Sequence, residues 1–338
     1  MSVTKYCPIR TGVSGAVLLC TLLMLAACRS AIGWVDRSPH ISGFVRVNGI
    51  RLQYLDWGGS GPALIFVPGL GDNPHVFDDL APAFIDHFHV ISYARRGSGE
   101  SDAKGPYDTA TLAADLIGLM DARGISRADL VGWSMGGTEI TAVAAQHPER
   151  VRRLVYFDSF DLTDPAYMTA IKALPANVQS PPSNAESSLD AYRAYEQDVD
   201  YATLDDMGRI EASLRNSVVV QPDGTVKKKA PQSAFDALFT TIISDHRDYR
   251  RVHEPVLAIF ADSVFNLGTP DLARRAIIHS WQETDWVPFR ERAIDRLKHD
   301  MPQAEIVRLP GAHRDFFLVS RKQVVKAMRR FLDAQTSG

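Results

Sequence analysis

Cysteine is scarce in this chain, and the few cysteines lie at one end of it. Only three occur in 338 residues, at Cys7, Cys20 and Cys28. The sequence after Cys28 therefore cannot form an internal disulfide, even in an oxidising compartment. The length and the ordinary hydrophobic fraction of 45% indicate one globular domain with room for an inserted subdomain.

A surplus of charge of one sign is also absent. Lys and Arg total 37 and Asp and Glu total 40, which gives a formal net charge of −3. Nothing in this balance favours nucleic acid or an acidic polymer as a partner. No long basic tract, low-complexity run or internal repeat occurs, and no obligate protein partner is implied.

Motifs for metals and nucleotides are missing as well. The ten histidines include no H-E-x-x-H pair or comparable cluster, so we expect no metal ion. Gly97 and Gly99 follow a predicted strand closely, but they complete no G-x-G-x-x-G and no lysine-serine pair follows them. We interpret them as a tight structural loop and expect no cofactor.

The first thirty residues have the pattern of a targeting segment. Lys5 and Arg10 precede an uncharged apolar stretch, 12–27, that is shorter than the ~20 residues a spanning helix needs. Its end, Leu25-Ala26-Ala27-Cys28, resembles a bacterial lipobox. We therefore predict a signal peptide at 1–27, lipid attachment at Cys28 and a linker at 28–42.

This interpretation predicts an exported, membrane-anchored lipoprotein of the cell envelope, on its periplasmic or outer-membrane side. An uncleaved signal anchor, or an ordinary signal peptide with a coincidental cysteine, are the alternatives.

From Gly43 onward, apolar runs alternate with segments of helical periodicity. The first two runs flank Asn48-Gly49, which is typical of a tight hairpin turn, whereas later runs are continuously apolar, as in strands buried on both faces. The pattern predicts an α/β fold with an eight-stranded, mainly parallel sheet flanked by helices and an antiparallel start. The predicted strands are 44–47, 50–55, 63–67, 89–93, 130–131, 151–157, 255–260 and 305–309, and the helices include 107–123, 137–146, 281–299 and 322–332.

The alternation stops between residues 162 and 251. This part is mostly polar and helical, with a hairpin predicted at 218–229 that turns on Pro222-Asp223-Gly224. We predict a lid inserted after strand six, between core segments 43–161 and 252–336. We interpret its aromatic residues as mostly core, with substrate lining as the alternative; they are Tyr167, Tyr192, Tyr195, Tyr201, Phe235 and Phe239.

A serine stands at the centre of Gly132-Trp133-Ser134-Met135-Gly136, between an apolar run and a run of helix formers. This arrangement of strand, sharp turn and helix is typical of a nucleophile elbow, where glycines two residues either side of the serine let strand and helix come close. Ser134 is therefore the candidate nucleophile.

The candidate base and oxyanion donors follow from their positions. Of the histidines, only His313 follows an apolar strand and a glycine turn near the C-terminus, which favours it as the general base. The glycine-rich loop Pro68-Gly69-Leu70-Gly71 follows a central strand, where a backbone N–H can bind an oxyanion. We predict the N–H groups of Leu70 and Met135 as the two donors.

Four motifs together resemble the α/β-hydrolase family over residues 43–334. They are Pro68-Gly69-Leu70-Gly71, Arg96-Gly97-Ser98-Gly99, Gly132-Trp133-Ser134-Met135-Gly136-Gly137 and Leu309-Pro310-Gly311-Ala312-His313, in that family's order and spacing. The resemblance implies the α/β-hydrolase fold. The resemblance is less specific for hydrolase activity, because other enzymes and non-catalytic binding proteins also have this fold.

The acid of a triad departs from the family's commonest pattern. The usual position after the strand 255–260 falls on or near Val264. Asp262 is close to it, but its side chain is expected to point the wrong way, since adjacent residues on a strand face opposite sides. Asp158, at the end of the preceding strand, is the other location that some family members use. We favour Asp158 and keep Asp262 as the alternative acid.

These residues predict a serine hydrolase that cleaves an ester or related acyl bond of a small, mostly apolar substrate. A serine nucleophile excludes the epoxide-hydrolase and dehalogenase branches, which need a carboxylate. The segment 134–139 is also similar to cofactor-free haloperoxidases (perhydrolases), which is the alternative enzyme. A surface-tethered binding protein without turnover is the alternative of another class.

Overall fold

The computed structural model describes residues 34–175, 178 and 182–333. Residues 34–38 belong to one unit and form neither helix nor strand, and the unit that begins at Pro39 contains all the elements below. The predicted signal peptide 1–27 and Cys28 lie outside the described residues. Within the described ranges, no helix combines the length and the apolar character needed to cross a membrane.

Eight strands form one sheet. Its first two neighbouring pairs, 41–47 with 50–58 and 50–58 with 89–93, are antiparallel, and the other neighbouring pairs are parallel. The predicted eight-stranded, mainly parallel sheet is therefore confirmed. The strands are β1 Ile41–Val47, β2 Ile50–Gly58, β3 Ala63–Val67, β4 His89–Tyr93, β5 Ala128–Trp133, β6 Val151–Phe157, β9 Val256–Ser263 and β10 Ala304–Ala312, in the order β1-β2-β4-β3-β5-β6-β9-β10.

Helices flank this sheet and fill the segment between β6 and β9. That segment also holds a short antiparallel hairpin, β7 Val218–Val220 with β8 Val226–Lys228. The α-helices are α1 Thr109–Ala122, α2 Gly136–Gln146, α3 Pro165–Ala173, α4 Leu189–Val199, α5 Glu211–Ser217, α6 Gln232–Ser244, α7 Leu272–Trp281, α8 Val287–Asp300, α9 Phe316–Val319 and α10 Arg321–Asp333.

Successive residues of the central strands pack on opposite faces of the sheet. In β3, Ile65 and Val67 join the core beneath α1 and α2, whereas Leu64 and Phe66 join the core beneath α10. All four are fully buried. Because helices cover both faces of the sheet, the side chains on both faces of these strands are buried. The strand sequences are therefore continuous apolar runs.

Two predicted elements have different bounds in the structure. The single helix predicted at 281–299 is instead α7, a π-helical turn Gln282–Trp286 and α8, because Pro288 lacks the N–H that an uninterrupted helix needs. The start of α7 is marked by Asp271, whose Oδ1 accepts the N–H groups of Ala273 and Arg274. The core also starts at β1 Ile41, inside the predicted linker 28–42.

Candidate active site

Ser134 occupies a strained turn between β5 and α2. Its backbone φ is 54°, in the left-handed region that non-glycine residues rarely adopt. A Cβ on Gly136 would lie 2.2 Å from the Val67 carbonyl oxygen, and one on Gly132 would lie 2.6 Å from the Gly136 carbonyl carbon. Strand and helix can therefore meet only with glycine at these two positions, as the motif predicts.

The carbonyl oxygen of Ser134 accepts three hydrogen bonds. The Gly137 N–H donates from 3.1 Å, the Ser159 hydroxyl donates from the end of β6, and Arg247 Nη2 donates from 3.3 Å. Because these donors come from three different segments, they hold the strained peptide from several sides. Both Ser159 and Arg247 are buried.

His313 and Asp158 meet beside this turn. His313 Nδ1 lies 2.6 Å from Asp158 Oδ2, and the other carboxylate oxygen accepts the Ala261 N–H at 3.1 Å. Since an ionised carboxylate only accepts, Nδ1 is the donor in this contact, and Nε2 of the neutral imidazole is then an acceptor. Asp158 is 2% exposed, and it caps no helix, because α3 is capped by Asp164.

Asp262, the alternative acid, does not contact His313. Its side chain is exposed, whereas that of the preceding Ala261 is buried. Its backbone carbonyl accepts a hydrogen bond from Arg290. Adjacent residues of β9 thus point to opposite sides, and of the two aspartates Asp158 is the one at the histidine.

The loop that carries His313 is fixed on two sides. Trp133 Nε1 donates to the His313 carbonyl at 3.1 Å, and their ring centroids lie 5.7 Å apart. The buried Asp315 accepts the Ala312 N–H at 2.8 Å. Within the described residues no hydrogen bond joins the Ser134 hydroxyl to His313, although both line one cavity; such bonds often close only when substrate binds.

The predicted oxyanion donors are available. In the part of the chain that the structure describes, neither the Leu70 N–H nor the Met135 N–H donates to a protein acceptor. Met135 also precedes the first residue of α2, where the positive end of the helix dipole favours negative charge. These two groups can therefore bind an anion without first breaking a bond within the protein.

A buried ion pair holds the loop that contains Leu70. Arg95 donates to the carbonyls of Pro68 and Gly69, and its Nε donates to Glu139 Oε1. Glu139 lies on α2 and is fully buried, which raises the pKa of its carboxyl, while Arg95 acts in the opposite direction. Arg95 thus links the carbonyls of Pro68 and Gly69 to α2, the helix that follows Ser134.

One cavity of about 210 Å³ brings Ser134, Asp158 and His313 together. At ~30 Å³ for each water in the liquid, this volume corresponds to about seven waters, which suits a small ligand. A larger surface groove of about 590 Å³ contains none of these three residues. The remaining walls of the smaller cavity are mostly apolar; they are Met135, Phe160, Leu162, Tyr167, Ile171, Ile242, Val264, Phe265 and Trp286, with Arg247.

Of the six lid aromatics, Tyr167 alone lines this cavity. Tyr192 and Tyr201 are core residues, and Tyr195 lines the larger surface groove. Phe239 packs with a small cluster that includes Met135, and Phe235, 36% exposed, lies against Gly71. Most of these side chains thus have the structural role that we expected.

Sequence reasoning missed two residues that position the site. Arg95 is adjacent to the recognisable Arg96-Gly97 motif but outside it, and Arg247 lies in the polar segment between β6 and β9. Neither position shows a spacing or a neighbouring motif that distinguishes it from a surface arginine. Their importance follows only from burial, which is 1% and 4% exposure.

The residue after His313 connects the site to the lid. Arg314 pairs with Asp72, close to Leu70, and with Asp200 at the end of α4. Glu196, one turn earlier on α4, is buried. Burial raises the pKa of Glu196 to about 7, and the nearby Asp200 adds to this effect, whereas Arg314 and a hydrogen bond from Tyr192 oppose it.

Comparisons with known proteins agree with this architecture. Residues 62–191 match a family model described as the alpha/beta hydrolase fold. A 2-(acetamidomethylene)succinate hydrolase of Mesorhizobium japonicum is 29% identical over 281 residues, which cover 82% of this chain and 90% of that enzyme. A pimeloyl-[acyl-carrier protein] methyl ester esterase of Neisseria meningitidis is 34% identical over 115 residues, 34% of this chain and 41% of that enzyme.

A crystal structure of E-2-(acetamidomethylene)succinate hydrolase is similar over 87% of this chain and 99% of its own, with a TM-score of 0.67 at 26% identity. The chain therefore has the α/β-hydrolase fold. The relatives that it resembles are named as hydrolases and an esterase, which supports hydrolase activity.

Replacement of Glu196 by glutamine makes the stability less dependent on pH. The pKa of this carboxyl is about 4.5 in the unfolded chain and about 7 in the folded protein. The stabilisation that the protonated group contributes is therefore complete below pH 4.5, and it is lost as the pH rises through 7. We expect Glu196→Gln to raise the Tm by several degrees at pH 8 and by much less at pH 5. The exposed Glu305→Gln is the control; an equal change at both pH values would contradict this account.

Proposed function

We propose that this protein is a serine hydrolase that cleaves a carboxylic ester, or a related acyl bond, of a small substrate. The observation that carries the proposal is the 2.6 Å contact between His313 and Asp158, in the cavity that Ser134 also lines. The order Ser134, Asp158, His313 along the chain is that of triads on this fold. The strained turn at Ser134 supports the same role.

In the proposed mechanism, His313 Nε2 takes the hydroxyl proton of Ser134 as the serine oxygen attacks the acyl carbon. Asp158 keeps the imidazole in the required tautomer and stabilises its cation. The imidazolium returns the proton to the leaving group, which departs and leaves an acyl-enzyme. Water then attacks this ester with His313 as the base, and the carboxylic acid and Ser134 are released.

The N–H groups of Leu70 and Met135 bind the negative oxygen that forms in each attack. Donors with no protein acceptor to give up cost no reorganisation at that moment, which is the main benefit of a preformed oxyanion hole. Removal of one such donor typically costs 10²–10³-fold in rate. The network from Arg95 to Glu139 supports this function because it orients the loop on which Leu70 lies.

The size and the lining of the cavity support a compact acyl compound. Its volume of about 210 Å³ is below the ~300–1,000 Å³ of drug-sized sites. Tyr167, Phe265 and Trp286 give it apolar walls. The similarity to a methyl ester esterase supports an ester as the substrate bond, and the hydrolase from Mesorhizobium supports a related acyl bond.

Replacement of Ser134 by alanine tests the proposal directly. We expect Ser134→Ala to lower the hydrolysis of short p-nitrophenyl esters on the order of 10⁴-fold or more, because the nucleophile is lost, and to abolish labelling by a fluorophosphonate probe. Retained hydrolysis in this variant would overturn the proposal. Absence of labelling in the wild-type protein would favour a binding protein, and peroxide-dependent bromination with acetate that exceeds ester hydrolysis would favour a perhydrolase.

Two asparagine variants identify the acid. Asp158→Asn is expected to lower kcat about 10⁴-fold, because the amide favours the wrong imidazole tautomer. Asp262→Asn removes the same charge from an exposed position and is expected to keep activity close to that of the wild type. Rates are compared at equal folded fraction, measured by circular dichroism; the reverse ranking would make Asp262 the acid.

We also propose that the chain is exported and anchored through lipid on Cys28. The support is the apolar stretch that ends at Leu25-Ala26-Ala27-Cys28. Expression in a bacterium with labelled palmitate should give a labelled membrane-associated protein, and Cys28→Ser should lose the label. An unlabelled wild-type protein that stays in the membrane would instead support an uncleaved anchor.

A further inference from the structure

One buried cation in the cavity has no anionic partner among the residues that the structure describes. Five arginines are buried in the described part of the chain, and four of them contact a carboxylate. These pairs are Arg95 with Glu139, Arg96 with Asp115, Arg153 with Asp129 and Arg290 with Glu291. The fifth, Arg247, forms no ion pair with any described residue, although it is 4% exposed.

Among the described residues, the side-chain hydrogen bonds of Arg247 all go to neutral groups. Nε donates to Thr138 at 3.0 Å, Nη1 donates to Ser159 at 2.8 Å and to Tyr249 at 3.3 Å, and Nη2 donates to the Ser134 carbonyl at 3.3 Å. A guanidinium carries five N–H groups, two of them on Nη2. One Nη2 hydrogen therefore has no acceptor among the described residues.

Two aspartates near Arg247 have other partners: Asp158 lines the same cavity, and Asp161 contacts the backbone of Arg247. Asp158 uses its oxygens for His313 and Ala261. Asp161 accepts the backbone N–H of Arg247, but its carboxylate pairs with His246 and Arg296. A buried charge is costly unless it is paired, so the structure leaves Arg247 with an unmet requirement for an anion.

Arg247 lines the same cavity as Ser134, Asp158 and His313. The Arg247 guanidinium can lie this close to α2 because residue 137 is glycine: a Cβ there would lie 3.1 Å from Arg247 Nη1 and 2.0 Å from Ser159 Oγ. The guanidinium thus sits beside the first turn of α2, where the helix dipole adds positive potential. The other walls of the cavity are mostly apolar, so an anion that enters has this one cationic side chain as its partner.

We propose that Arg247 binds a carboxylate of the substrate, so that the substrate class is a short acyl compound that carries a free carboxylate, such as the half-ester of a short dicarboxylic acid. The charge-assisted bond to the guanidinium orients the acyl group toward Ser134. This inference rests on the proposed function, which it narrows from small acyl compounds in general to anionic ones.

A different role for Arg247 is to hold the Ser134 carbonyl only. In that case its loss lowers the hydrolysis of neutral and anionic substrates equally. The ratio of kcat/KM for an anionic ester to that for its neutral counterpart separates the two roles, because a change in the position of Ser134 affects both substrates.

The experiment uses monomethyl and dimethyl esters of succinic, glutaric and adipic acid at pH 8, with methanol release as the measurement. The Ser134→Ala protein gives the background. We expect the wild-type protein to favour the half-ester of at least one acid over its diester. Arg247→Gln keeps amide hydrogen-bond donors but lacks the charge, and it should lower this ratio about tenfold or more, since hydrogen bonds to charged groups are the strong ones.

Arg247→Lys keeps the charge and should retain part of the preference. Arg250→Gln is the matched control, because it removes the same charge from a side chain that is 74% exposed, and its ratio should equal that of the wild type. The wild-type preference alone also tests the proposal if an Arg247 variant does not fold.

Three results would overturn the inference: no preference for any half-ester in the wild type, an equal loss for both substrates in Arg247→Gln, or an unchanged ratio in that variant. Each of these leaves the serine hydrolase intact if fluorophosphonate still labels Ser134 and the diesters are cleaved. Absence of both labelling and cleavage would instead overturn the proposed function.

Discussion

The close approach of β5 and α2 at Ser134 is the constraint on which the site depends. A Cβ at position 132 would collide with Gly136 of α2, and a Cβ at position 136 would collide with the carbonyl oxygen of Val67 on the neighbouring strand β3. Glycine at both positions removes these collisions. The chain can turn this sharply only with Ser134 in the left-handed region, at a cost of about 1–3 kcal/mol. Three donors to the Ser134 carbonyl offset that cost.

Charged groups, as well as apolar contacts, connect the loops around this turn. Arg95 joins the oxyanion loop to Glu139 on α2, and Arg314 joins Asp72 to the lid through Asp200. These loops follow different strands at the carboxyl edge of the sheet. Ion pairs with defined geometry thus help to hold Ser134, His313 and the loop of Leu70 in place relative to one another.

The sheet and the segment between β6 and β9 contribute different parts of the candidate site. Ser134, Asp158 and His313 follow strands of the sheet, so the three candidate residues are held by rigid elements. Tyr167, Ile242 and other cavity walls come from the segment between β6 and β9, which also carries Arg247. The cavity walls can thus change in this segment while Ser134, Asp158 and His313 keep their places, and one fold can serve many reactions in this way.

The sequence by itself determined the sheet, the turn at Ser134 and the candidates His313, Leu70 and Met135, because each rests on a local pattern of apolar periodicity or glycine spacing. It narrowed the partner of His313 to two aspartates and favoured Asp158, with Asp262 kept as the alternative. Which side of β9 faces the site depends on its pairing with β6 and β10, and that places Asp262 outside. The helix expected at 281–299 is helical throughout, but it begins earlier, at Leu272, and contains a π-helical turn two residues before Pro288.

Only the tertiary structure decided that Arg247 is buried without a carboxylate. Its neighbours, Ser134, Ser159 and Thr138, are distant from it in sequence, so no spacing along the chain could indicate the contact. Patterns along the chain report which face of an element is buried, whereas the pairing of a buried charge depends on which elements meet.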